Sequence, residues 1–170
     1  MIGGSMTTIA FLWFAAGCLF VYSAWTDTQT MRIPNWVSLC LIALYGTRFA
    51  LAPETTDPMT DALLLGGVLA AGFALFALKG MGAGDVKLMA AGALWFGTTG
   101  AFSFLTITGL GGGLLALGIR MIQSWPDAQP ILLRYLPGFT RNNYVPYALA
   151  ILAGAVGGLY DQFVAWSLVP

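Results

Sequence analysis

Residues 88–119 read LMAAGALWFGTTGAFSFLTITGLGGGLLALGI, 32 positions without a charged side chain. A bilayer core takes about 20 residues of helix, at about 1.5 Å per residue. The run is too long for one crossing and short for two. Gly97-Thr98-Thr99-Gly100 is its natural break, because glycine and threonine favour a turn over continued helix. Splitting there predicts a short helix over 85–96 and a longer one over 101–120. At about 18 Å, the shorter helix falls short of the hydrocarbon thickness, which places its start below the interface, in a cavity or a thinned bilayer.

The flanking sequence extends the pattern. Uncharged or nearly uncharged stretches predict further helices over about 7–25, 36–52, 62–78 and 144–160. The fold class is an all-α polytopic membrane bundle of six helices, one domain over residues 1–170. Composition agrees: 58% of residues are hydrophobic and 8% charged, with a mean hydropathy of +0.80. Soluble domains carry about 25% charged residues, so this chain lacks the means to clothe a water-facing surface. Residues 121–143 hold Trp125, Pro126, Pro130, Pro137 and Gly138, which argue against a seventh span. Within that loop 131–136 is either a short interfacial helix or an ordered loop. The first 31 residues contain no Lys or Arg, so the opening segment reads as a retained helix and not a secretory signal.

Charge placement sets the orientation. With the N-terminus outside, the inner loops hold Arg32, Lys79, Lys87, Arg120, Arg134 and Arg141, and the outer side keeps only Arg48, near a helix end where it snorkels to the headgroups. A single span over 88–119 would put Lys87 and Arg120 on opposite sides and weaken that bias. Net charge is zero, so no nucleic-acid partner is indicated. The absence of histidine excludes His-based triads and His-ligated metals, and Cys18 and Cys40 lie in apolar segments far from any CxxC spacing. No metal and no cofactor are expected. Gly109-x-x-x-Gly113 and Gly154-x-x-x-Gly158 are read first as close packing within the bundle, with a homo-oligomer interface as the lesser alternative.

Two carboxylates remain to be explained. Asp27 follows 20 uncharged residues, and Asp85 closes Gly80-Met81-Gly82-Ala83-Gly84-Asp85. Acids at membrane depth are costly and mark proton paths, ion sites or catalysis. Both fall at the same, cytoplasmic, ends of their helices. The glycines permit a tight turn and close approach of another chain. As structure alone, Asp85 is a helix N-cap, and Asp27 belongs to a polar loop paired with Arg32, with Pro34 and Asn35 starting the next helix. As chemistry, two carboxylates a few ångströms apart hold one proton between them, and one ionised and one protonated acid hydrolyse a peptide bond without metal. Lys87 either tunes the pair or meets lipid headgroups.

These residues resemble the prepilin peptidases, GxGD-type aspartic membrane proteases, and most closely the short form associated with tight-adherence (Flp) pili. The resemblance is carried by Asp27 with Arg32-Ile33-Pro34-Asn35, by Gly82-Ala83-Gly84-Asp85-Val86-Lys87, and by Val145-Pro146-Tyr147-Ala148, where Ala148 stands in place of the family's glycine. It implies Asp27 and Asp85 as the catalytic pair, supported by Gly82, Gly84, Lys87, Arg32, Pro34, Asn35, Pro146 and Tyr147. It further implies a bacterial inner-membrane enzyme with its site facing the cytoplasm. Its substrate would be a prepilin, whose short basic leader is cut off just before a hydrophobic helix. Longer relatives carry paired CxxC motifs and methylate the new N-terminus; without such a region, peptidase activity alone is expected. The rival reading is a small proton- or ion-coupled carrier using the two acids as relays, although no internal repeat accompanies it.

Overall fold

The computed structural model describes residues 2–124 and 145–167. Five helices account for nearly all of them: α1 (Ile2–Thr30), α2 (Asn35–Leu51), α3 (Pro58–Ala77), α4 (Ala83–Gln123) and α5 (Tyr147–Ser167), with a 3-10 turn at Pro53–Thr55. No strand occurs among the described residues. Thr7–Thr30, Pro58–Ala77, Ala83–Met121 and Tyr147–Ala165 are long and apolar enough to cross a membrane, and Asn35–Leu51 is a shorter apolar helix. The segment 125–144, including the 131–136 stretch with Arg134 and Arg141, lies outside the described residues.

α4 is two limbs. Gly97 has φ 54° and ψ −161°, far from helix, and the chain reverses there. The rings of Phe96 and Phe104 lie 5.0 Å apart, although eight residues of straight helix would separate them by about 12 Å. A Cβ on Gly92 would come within 2.6 Å of the Phe104 ring, twelve positions along the chain. Residues 98–123 therefore fold back against 83–96. The break occupies Gly97 alone, and Thr98 to Gly100 are already helical.

α5 runs antiparallel along the second limb. Gly158 meets Gly100, Gly154 meets Phe104 and Thr108, and Ala150 meets Gly111. Gly154 and Gly158 thus serve contacts inside the bundle, where small residues let helices approach closely. Gly109 and Gly113 face open space.

Two features depart from the sequence reading at helix starts and ends. α1 continues past Trp25 to Thr30, and there Thr26, Thr28 and Thr30 turn their hydroxyls inward, onto carbonyls one turn back at Tyr22, Trp25 and Thr26. α3 starts early because Asp57 caps it, accepting from the Thr60 amide (3.3 Å) and hydroxyl (2.6 Å), with Pro58 at the first helical position. Asp61 is thereby carried into the bundle, where Tyr45 donates to its carboxylate.

Arg48 does not snorkel. Its guanidinium is buried and donates to Trp95 O (3.1 Å) and Thr55 O (2.8 Å), and it lies over the rings of Trp13 and Trp95. The Gly97 break supplies the reason, since it frees carbonyls that a continuous helix would have bonded to its own amides. At Gly97, φ and ψ fall where essentially only glycine is found, and an added Cβ would lie 2.9 Å from Asp61 Oδ1. Gly97→Ala is expected to destabilise the bundle by about 1–3 kcal/mol. Thermal unfolding in detergent checks this, and an unchanged midpoint would mean the reversal is not strained by a side chain.

Candidate active site

Along α1 the buried positions Leu12, Ala16, Phe20 and Ala24 recur every fourth residue, and the stripe reaches Asp27 and Thr28. The Asp27 side chain is only 5% exposed because it continues the face that packs on the bundle. The helix ends just beyond, where Met31 takes φ 52° and its amide donates to Asp27 O at 2.8 Å. Pro34, extended at φ −64° and ψ 132°, then precedes α2. The turn folds the Arg32–Asn35 segment over the start of α4. A Cβ on Gly84 would sit 3.2 Å from Ile33 Cβ and 3.5 Å from its carbonyl oxygen.

Asp85 is the third residue of α4, and its Oδ2 accepts from the Gly82 amide at 3.3 Å. An acid at that position reaching back to the amide before the helix is half of a capping box. Its other oxygen, Oδ1, is buried and without a hydrogen-bond partner among the described residues. Asp85 is thus not the N-cap itself, since Gly82 precedes the helix; one oxygen serves the capping of the helix start and the second is left unaccounted for. Ile33, six residues beyond Asp27, packs against Gly84, the neighbour of Asp85, so both acids stand at the same end of the bundle.

The third contributor is distant in sequence. Asp27 Oδ2 accepts the backbone N–H of Ala148, at 3.1 Å. Ala148 is in the first turn of α5, whose amides have no partner within their own helix, and a carboxylate there also complements the helix dipole. Pro146, fully buried, leads into that turn, and the Tyr147 ring fills the space beside Gly112. Lys87 Nζ donates to Asn35 Oδ1 at 3.0 Å, tying α4 to the start of α2. Arg32 is exposed.

Of the residues singled out from sequence, Asp27, Gly82, Gly84, Asp85, Lys87, Pro34, Asn35, Pro146 and Tyr147 thus lie on three segments that meet at one end of the bundle. Sequence reading attached no role to the Ala148 amide, and none was visible, because a backbone donor leaves no trace in side-chain identity.

The fold and these helices define an all-helical membrane protein with two acids brought together at one end. Residues 10–117 match the model of the type IV leader peptidase family, and the chain belongs to that family. It is thus a protease of the prepilin peptidase type. The matched region contains both Asp27 and Asp85, and the Pro146–Ala148 segment lies beyond it. No curated protein and no solved structure matches the chain.

Proposed function

We propose that the protein is an aspartic endopeptidase that removes the short basic leader from type IV or Flp-type prepilins, with Asp27 and Asp85 as its catalytic pair. What supports this reading is the placement of both acids on segments that meet at one end of the bundle, with Oδ1 of Asp85 buried and unbonded among the described residues. In the proposed reaction the ionised carboxylate takes a proton from water, and the hydroxyl adds to the scissile carbonyl carbon. The protonated carboxyl gives its proton to the carbonyl oxygen. As the C–N bond breaks, the first carboxyl protonates the leaving nitrogen and the second recovers a proton from the diol. The pair ends, as it began, holding one proton.

The same reading takes the two limbs of α4 as separate crossings. This makes six, with the N-terminus outside and the site at the cytoplasmic face of a bacterial inner membrane. The Arg32, Lys79, Lys87 and Arg120 positions support it by the positive-inside bias. Cleavage is proposed without N-methylation, the two cysteines forming no CxxC.

The test is cleavage of a co-expressed Flp-type prepilin, read as a size shift; several such precursors left intact by the wild type would refute the reading, and proton flux in liposomes would then be measured. Cleavage is expected to survive EDTA, and loss on chelation would point to metal-dependent chemistry. Of the two constraints the sequence suggests at Gly84, backbone strain and crowding, the geometry supports crowding, by Ile33, since Gly84 has no left-handed backbone that a side chain would strain. Gly84→Ala is accordingly expected to retain cleavage and Gly84→Val to lose at least about tenfold, since displacement of the facing segment disturbs the reacting geometry. Equal rates for the two variants would leave the contact without catalytic weight.

A further inference from the structure

The limb 83–96 carries Asp85 in its first turn and ends at the Gly97 break, about 15 Å further along from Asp85 to Trp95. The break leaves carbonyls of its last turn without amide partners. Two of them are taken by side chains from different helices: Arg48 of α2 donates to Trp95 O at 3.1 Å, and Gln162 of α5 donates to Phe96 O at 2.6 Å. Both side chains are buried, and Arg48 places a cation at the negative end of the limb's dipole. Its second amino group is held by Thr55 O, so it is anchored independently of the limb it binds.

The limb is also held by Lys87 on Asn35 near its start, by the Trp95 indole N–H donating to Leu41 O at 2.8 Å, and by the buried side chains of Val86, Leu88 and Leu94. Between these, Ala90, Ala91, Gly92 and Ala93 are buried and small, so the bonds to Trp95 O and Phe96 O add directional constraint at the limb's far end. Directional bonds to two successive carbonyls resist both translation and rotation. A slip of one residue would turn Asp85 by about 100° about the helix axis and shift it by about 1.5 Å. A methionine in place of Arg48 would leave Trp95 O and Thr55 O without their donor and would take a cation away from buried Asp61, so each readout is taken per folded molecule.

We propose that Arg48 and Gln162 are positioning residues for the reaction, holding the 83–96 limb in the register that brings Asp85 to Asp27. The proposal rests on the two-carboxylate reading above. Gln162→Met and Arg48→Met are to be assayed in purified form for kcat, KM and the pH–rate profile, each per folded molecule. The expected result is a fall in kcat of roughly 10- to 100-fold, with KM changed by less than about twofold. The pH profile is expected to move, because the separation of two carboxylates governs how they share a proton. Arg48→Lys, which keeps the charge and reaches one carbonyl, is expected to recover part of the loss. If kcat per folded molecule and the pH profile both stay at wild-type values while only thermal stability drops, the two residues are packing elements and the proposal fails. A lowered kcat with an unmoved profile also defeats it. Should Arg48→Met not insert, Gln162→Met carries the test with Arg48 intact. Hydrogen exchange over residues 83–88 gives a reading independent of substrate: faster exchange in the variants supports the register role, and unchanged exchange overturns it. Failure of the wild type to cleave would instead remove the catalytic reading itself.

Discussion

Asp27→Asn and Asp85→Asn are each expected to abolish prepilin cleavage, a loss of roughly four orders of magnitude, while the protein stays in the membrane. A carboxamide is nearly the size of a carboxyl, so packing is kept and only the shared proton is lost. In the first variant the side-chain oxygen still accepts from the Ala148 amide, and in the second it still accepts from the Gly82 amide. The hydrogen bonds that hold the site together therefore survive the change. What disappears is the ability of the pair to take one proton and give another. Removal of one member of a catalytic constellation elsewhere costs about 10⁴-fold or more, which sets the expected size. Cleavage in either variant at more than about a hundredth of the wild-type rate would show that the carboxylates are not both needed.

Gly154→Val is expected to unfold the bundle outright. A Cβ at that position would lie 2.1 Å from Thr108 Oγ1 and 2.5 Å from the carbonyl oxygen of Phe104, and the second of these is backbone that no rotamer change relieves. α5 would have to leave the second limb of α4, taking with it the Gln162 bond to Phe96 and the Ala148 bond to Asp27. Overpacking alone typically costs about 1–3 kcal/mol, and loss of the two buried bonds adds to it. Little folded protein should be recovered from membranes. A variant that elutes as a monodisperse, wild-type-like species in detergent would show that α5 and the limb pack less tightly than described. Gly109→Val, facing open space, serves as the neutral control.

Much of this was legible in the residues because it is local. A charge-free run of 32 residues interrupted by Gly97 announces a break, and the conformation of Gly97 is one that other residues avoid. The glycines before Asp85 announce a tight turn, and Gly82 does supply an amide to that acid. Other features depended on partners far along the chain. Arg48 stands near the end of an apolar helix, where a long cation ordinarily reaches for water. The carbonyls that hold it inside the protein come from Thr55, in the turn after α2, and from the break 47 residues later. Asp61 falls just before the helix expected over 62–78, and the cap at Asp57 is what extends α3 over it. In each case the sequence held the residue and not its neighbour.

The bond between Ala148 and Asp27 spans 121 residues, and this separation has a bearing on how the protein is made. A ribosome delivers Asp27 to the membrane well before the amide that bonds it. Until α5 arrives, the acid on the first helix sits beside an unfinished neighbour, and long-range closures of this kind are slow to form. The proposed catalytic pair is in this sense completed by a late helix, and a nascent polypeptide without α5 would hold Asp27 without the amide that bonds it.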